Sequence, residues 1–335
     1  MTDRLCLGLE STAHTFSAGV VSFLGEVISV INDTYVPEEG GLHPFKTSEH
    51  HVACFDDVIS KSLEKAGITA SEVDLIAFSQ GPGLGPCLRV GATVARTLHL
   101  VLDTPLVGVN HCVGHVEIGR LMCNMDDPLT LYVSGGNTMV SAFDCGRYQV
   151  FGETLDIALG NMLDTFARKM GLQHPGGPKI EKLAVSSQGN YIELPYTVKG
   201  MDLSFSGLLT ASTRLHPEYS LEDISYSLQE TAFAMLAEVT ERALAHTEKD
   251  ELLLTGGVAA NSRLQEMIKL IAEEHGSRFD VVPQYLAGDN GAMIAWNGIL
   301  AYRAEQRSLE MEDSNIIPKW RLDQVPITWR QEEGK

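Results

Sequence analysis

The stretch Asn110–Glu117, NHCVGHVE, places His111 and His115 four residues apart. On a helix, side chains at that spacing share one face about 5–6 Å apart, so both imidazoles can reach a single cation. Chance alone gives about 0.4 such pairs in a chain with 11 histidines among 335 residues, so the spacing needs support. A catalytic cation usually takes a third protein ligand, a carboxylate or another oxygen donor. Glu117, Tyr132 and Asp289 are the candidates. His-x-x-x-His is also the frame of a zinc-protease motif. Here Cys112 stands where that mechanism needs its general-base glutamate, which disfavours hydrolysis. A metal that orients or polarises a bound substrate stays open.

A second group of residues could hold phosphate. SGGNT, Ser134–Thr138, is a turn whose adjacent glycines let backbone N–H groups approach an anion. ESTAHT, Glu10–Thr15, places a carboxylate and hydroxyls at a comparable strand end. TGGVAANSRL, Thr255–Leu264, runs from a strand into a helix start, where Asn261 could cap the helix or bind a ligand. Gly176, Gly177 and Pro178 enter another helix, with Asp164 before them and Glu181 after. Either carboxylate could meet a ribose or simply lie on a solvated helix face. Any one turn is explained as well by hairpin geometry; three at strand ends favour a nucleotide cleft. GPGLGP, Gly81–Pro86, is not a dinucleotide fingerprint, and no P-loop motif occurs.

The elements that must position these residues form a duplication. Leu5–Ile31 and Leu129–Thr154 each read as an apolar strand, a Gly/Ser/Thr turn, a β-branched strand and a third strand. Helical and further strand patterns follow each. In Leu221–His246, residues Ile224, Leu228, Ala232, Met235, Leu236 and Val239 line one face. A meander followed by helices and strands, twice over, predicts two similar α/β lobes with a ligand in the cleft between them. The expected division is 1–126, 127–288, and a C-terminal helix and tail at 289–335 that packs back on the N-terminal lobe. The tail beyond Gln306, with Pro318 and Pro326, reads as peripheral.

Composition narrows the class. Hydrophobic residues are 44% and charged residues 21%, a globular balance. No run approaches the ~18 apolar residues of a membrane span, and the N-terminus does not read as a signal peptide. Six dispersed cysteines without Cys-x-x-Cys read as buried thiols of a cytoplasmic protein. The net charge of −19 is unusual for a free-standing nucleic-acid binder, whose phosphate contacts need cations. A nucleic-acid substrate would then require a local basic surface or one from a partner.

The ordered motifs NHCVGHVEIGR, LYVSGGNT, LGNMLDTFARKMGL, HPGGPKIEKLA, DLSFSGL, TGGVAANSRL and GDNGAMIAW resemble the tRNA N6-adenosine threonylcarbamoyltransferase family over nearly the whole chain. SGGNT and GGPKIEKLA look like its archaeal and eukaryotic branch, the catalytic subunit of the KEOPS complex. The resemblance implies an α/β fold of two duplicated actin/hexokinase-like (RNase H-type) lobes with an interlobe cleft. It implies transfer of threonylcarbamoyl from threonylcarbamoyl-AMP to N6 of the adenosine adjacent to the anticodon (position 37) in tRNAs reading A-starting codons. One divalent metal ion, iron or zinc, would be held by His111, His115 and Asp289, with Tyr132 sometimes joining. An ATP-type nucleotide, with magnesium as a further candidate ion, would contact Tyr132, Val133, Ser134, Gly135, Gly136, Asn137, Asp164, Gly177, Glu181 and Asn261. Glu10 is a candidate catalytic carboxylate beside His111 and His115. tRNA is the implied substrate. KEOPS subunits, including a small kinase-like ATPase and a small dimerising subunit, are the implied partners. Some relatives carry that kinase fused downstream, and this chain is expected to lack it. The rival readings are a small-molecule kinase and a non-catalytic ATPase scaffold of the same superfamily. The first would need a catalytic aspartate in the first lobe, where none is evident.

Overall fold

The computed structural model describes residues 4–37 and 41–330. In chain order the first elements are β1 (Leu5–Glu10), β2 (Thr15–Ser22), β3 (Val27–Thr34), α1 (Pro44–Ala66), β4 (Leu75–Gly81), α2 (Gly85–Leu102), β5 (Leu106–Asn110) and α3 (His111–Cys123). Then come β6 (Leu129–Val133), β7 (Thr138–Asp144), β8 (Arg147–Glu153), α4 (Leu159–Lys169), α5 (Gly177–Ser186), β9 (Val198–Lys199), β10 (Asp202–Leu203), α6 (Ser206–Leu215) and α7 (Leu221–Thr247). The last are β11 (Glu251–Thr255), α8 (Ser262–His275), β12 (Arg278–Val281), α9 (Gln284–Ala287) and α10 (Gly291–Glu305). They fall into two compact units: Met1–Leu121 with Asp144–Tyr148 and Asp289–Lys335, and Met122–Phe143 with Gln149–Gly288.

The first unit is built on a five-stranded sheet in the order β3-β2-β1-β4-β5. β1, β2 and β3 form the antiparallel meander, and β4 and β5 add in parallel. Every residue of β2 is buried, as expected of a strand covered on both faces. α1 packs against β2 and β3, and α10 packs against β1, β2 and β4. The seat for α10 is a pair of glycines, Gly8 and Gly19, opposite each other in the β1–β2 ladder. A Cβ at Gly8 would stand 2.1 Å from the Gly291 carbonyl oxygen, and one at Gly19 would stand 2.5 Å from the Ala292 nitrogen. Only glycine lets the helix start lie that close to the sheet. Asn290 caps α10 by accepting from the Met293 N–H, and the Gly291 N–H donates to Ser17 Oγ.

The tail is not peripheral. The Leu309 N–H donates to the Leu106 carbonyl, Gln80 Nε2 donates to the carbonyls of Asp313 and Asn315, and Asn110 Nδ2 donates to that of Trp320. Leu322, Val325 and Ile327 are buried. Its prolines and charges hide this, because the anchoring runs mostly through backbone groups that sequence periodicity does not report.

The second unit repeats the scheme, its sheet running β12-β11-β6-β7-β8. β6 and β7 are antiparallel, and β11 lies parallel to both β6 and β12. Ile224, Leu228, Ala232, Met235, Leu236 and Val239 of α7 are all buried in its core. Five of the six cysteines are buried, but Cys145 is exposed in the turn between β7 and β8, against the expectation of uniformly buried thiols. Among the described residues no helix is long and apolar enough to cross a membrane.

Candidate functional site

In the first unit, β1 ends on Glu10, fully buried, and β5 ends on Asn110, whose side chain caps α3 by accepting from the Cys112 and Val113 N–H groups. The cap starts the helix at His111, so His111 and His115 occupy successive turns with ring centroids 4.8 Å apart. Asp289 arrives from the opposite end of the chain, held just before α10 by the glycine seat. Its Oδ1 lies 3.6 Å from His111 Nε2 and 3.3 Å from His115 Nε2. One donor atom from each of the three residues falls within 4.8 Å of the others.

Glu10 completes the cluster from behind. Its Oε2 lies 2.9 Å from His111 Nδ1, and its Oε1 accepts from the Thr12 N–H at 2.6 Å. Thr12 Oγ1 is also 3.2 Å from His111 Nδ1. The carboxylate therefore fixes the ring so that Nε2 faces Asp289, the arrangement that metal-binding histidines commonly use. Burial works against a charge on His111, but Glu10 and Asp289 outweigh it and raise its pKa to about 9. Burial lowers the pKa of His115 despite Asp289. The Asp289 carboxyl is largely withdrawn from solvent, with its side chain 16% exposed, yet the two imidazoles hold it well below the usual carboxylate range. Two buried imidazoles and a partly buried carboxylate form a donor set that fits a borderline divalent cation such as iron or zinc.

Of the other third-ligand candidates, Glu117 is committed elsewhere. It accepts from Arg120 at 2.7 Å, Tyr148 OH at 2.7 Å and Trp329 Nε1 at 2.8 Å. Tyr132 is buried at the end of β6 in the second unit.

That unit gathers the glycine-rich turns. Ser134–Asn137 joins β6 to β7; the Gly136 and Asn137 N–H groups donate to Ser134 Oγ at 3.3 and 3.0 Å, and the Ser134 N–H donates to the Asn137 carbonyl. Gly135 and Gly136 are exposed, with open space around them. The Gly160 N–H, in the first turn of α4, donates to the Ser134 carbonyl, so the turn sits at a helix N-terminus, a favourable place for an anion. Gly256 adopts φ +97° beside Val133, where a Cβ would meet the Val133 carbonyl oxygen at 2.2 Å.

Asp164 accepts from the Gly176 N–H at 2.7 Å and lies 3.5 Å from His174, which joins it to the Gly176–Gly177 entry of α5. Glu181 accepts from the Ser262 N–H at 2.8 Å and from its hydroxyl. Asn261 caps α8 through the N–H groups of Arg263 and Leu264 and donates to Gln229. This is the capping role that the sequence offered. Thr12 and Asn110 are the site residues that sequence reasoning passed over. Their signals were the hydroxyl-rich turn after β1 and the Asn directly before the first histidine.

The family model described as TsaD: tRNA N6-adenosine threonylcarbamoyltransferase matches residues 24–296. A tRNA N6-adenosine threonylcarbamoyltransferase of Thermococcus kodakarensis is 55% identical over 97% of this chain and 99% of its own length. A probable bifunctional tRNA threonylcarbamoyladenosine biosynthesis protein of Methanothermobacter thermautotrophicus is 55% identical over 98% of this chain, which spans 61% of that relative's length. Among solved structures, HypF of T. kodakarensis aligns with a TM-score of 0.64 at 17% identity, over 90% of this chain and 48% of that one. The activator of the 2-hydroxyisocaproyl-CoA dehydratase from Clostridium difficile, solved with bound ADPNP, aligns with a TM-score of 0.55 at 12% identity, over 91% and 99%. At such identities the likeness is one of fold, the two-lobed actin/hexokinase-like α/β type anticipated above. The match over most of its length and the full-length likeness to the Thermococcus protein place this chain in the tRNA N6-adenosine threonylcarbamoyltransferase family.

Proposed function

We propose that this chain transfers the threonylcarbamoyl group of threonylcarbamoyl-AMP to N6 of the adenosine adjacent to the anticodon in tRNA. The observation that carries this reading is the convergence of Glu10, His111, His115 and Asp289 in the first unit of a chain that belongs to the transferase family. The bond that forms joins N6 to the carbamoyl carbon. The bond that breaks joins that carbon to the phosphate oxygen of AMP, which leaves with the electron pair, while N6 gives up one proton to the solvent or to the departing phosphate. A mixed anhydride has a good leaving group, so positioning and charge neutralisation carry most of the catalysis. No protein nucleophile is required.

His111, His115 and Asp289 would hold an iron or zinc ion, and that ion would supply polarisation of carbonyl or phosphate oxygens. Glu10 is assigned a positioning role, because its two oxygens already serve the Thr12 N–H and His111 Nδ1. The AMP portion is assigned to the second unit. Tyr132–Asn137 would receive phosphate at the N-terminus of α4. Asp164 and Glu181 are acceptors suited to ribose hydroxyls, with Gly177 and Asn261 shaping the two helix entries. The acidity of the chain supports a further element of the proposal: partner subunits of the KEOPS type, a small kinase-like ATPase and a small dimerising protein, provide much of the basic surface for tRNA.

The test is reconstitution with threonine, bicarbonate, ATP, an adenylate-forming enzyme, partner subunits and unmodified tRNA. Mass analysis of the nucleosides should find the modified adenosine with the wild-type chain and a loss of at least ~100-fold with His111→Ala. A His111→Ala protein that kept both its metal and its rate would overturn the assignment.

A further inference from the structure

A second cluster in the first unit combines a thiol, an imidazole and a carboxylate. His50 and Cys54 stand four apart on α1, the spacing of His111 and His115 on α3, and Asp33 faces them from β3. His50 Nε2 lies 2.9 Å from Asp33 Oδ1, and His50 Nδ1 lies 3.8 Å from Cys54 Sγ. One donor atom from each residue is within 4.8 Å of the others, a bound that the first cluster also meets. Ligand atoms around a tetrahedral zinc are roughly 3.3–3.8 Å apart. Because His50 now turns Nε2 to Asp33 and Nδ1 to Cys54, its ring must rotate to present one nitrogen before the three close onto an ion.

The same three types could instead suggest a nucleophilic cysteine with a base and an orienting acid. Cys54, however, is 8% exposed and its Sγ also contacts the His51 carbonyl from within the helix, which disfavours attack on a bulky electrophile. Asp33 and His50 keep side-chain exposures of 44% and 23%, which gives a small ion access and a solvent ligand.

We propose that Asp33, His50 and Cys54 form a second divalent-cation site, of the zinc class, that ties the middle of α1 to the third strand of the meander. Sulfur, nitrogen and oxygen donors together select a borderline metal over magnesium or calcium. Thiolate coordination is also what sets the site apart from the histidine–carboxylate cluster, so the two can be read separately. This proposal does not depend on the transfer reaction.

The experiment titrates the metal-stripped, full-length chain with Co²⁺ and records absorption. A thiolate ligand adds a sulfur-to-cobalt charge-transfer band in the near ultraviolet. The band should appear in the wild type and in His111→Ala, and be lost in Cys54→Ser and His50→Gln. Asp33→Asn should keep it with affinity lowered ~10-fold or more. Zn²⁺ should raise the melting temperature of His111→Ala but not of the double variant His111→Ala/His50→Gln. If Cys54→Ser does not fold, His50→Gln, altered at a partly exposed side chain, decides alone. No charge-transfer band in the wild type, or a band that survives either Cys54→Ser or His50→Gln, would overturn the proposal.

Discussion

His111 is where single-residue physics decides the most. Its pKa is raised to about 9 from 6.5, so in the metal-free protein its charge stabilises the fold fully below pH ~6.5, and that stabilisation is lost as pH rises through about 9. Glu10→Gln removes one of the two carboxylates responsible. Denaturant titrations of the metal-free protein between pH 6 and pH 10 should therefore show a smaller fall in stability for Glu10→Gln than for the wild type. The same substitution should weaken divalent-cation binding by roughly 10–100-fold, measured by competition with a chromophoric chelator, because the ring loses the charged acceptor that orients it. At this scale the sequence was legible where chemistry and spacing coincide, at His111, His115 and Asp289. It was ambiguous where a carboxylate has several suitors. Glu117, two residues past His115, is a candidate by residue type, but that spacing puts it on the opposite side of α3, where Arg120, Tyr148 and Trp329 engage it.

The elements hold the cluster through close backbone approach. Gly8→Ala would put a methyl 2.1 Å from the Gly291 carbonyl, so α10 must shift and carry Asp289 with it. We expect a loss of about 1–3 kcal/mol in denaturant titration, together with weaker cation binding. Gly207→Ala is the control. It lies in the first turn of α6 with open space around it, and should be neutral or stabilising by up to about 1 kcal/mol.

In the second unit, Asp156 accepts from the Phe205 and Ser206 N–H groups at the start of α6 and from the Ser204 hydroxyl. Burial opposes its charge, but these bonds outweigh it and hold the carboxyl far below its ordinary 3.8. Its stabilisation is thus present above pH ~4 and lost as pH falls further. Asp156→Asn should cost about 1 kcal/mol at pH 7, and the gap to the wild type should narrow as denaturation is followed below pH 4. Periodicity made α7 legible residue by residue, since a long helix buried along one face repeats its signal. α6 was missed: ten residues, five of them Ser, Thr or Gly, carry little amphipathic pattern, and the helix start is held by a distant aspartate.

For the whole molecule the deciding quantity is charge. The chain carries 44 acidic against 25 basic residues, a net −19. A tRNA binder that neutralises Z phosphates loses affinity with salt at a slope near −0.9Z on duplex regions. A surface this acidic can offer only a local basic patch, and its long-range field opposes the approach of a polyanion. The isolated chain should therefore bind unmodified tRNA weakly, with a log–log salt slope no steeper than about −2. Adding partner subunits should steepen the slope while raising affinity, because the new phosphate contacts come from them. Filter binding between 50 and 300 mM salt, with and without those subunits, makes the comparison. Tight binding by the chain alone with a slope steeper than about −5 would mean that it carries its own phosphate-tracking surface. The acidity would then serve solubility, and tRNA recognition would have to be sought on the chain itself.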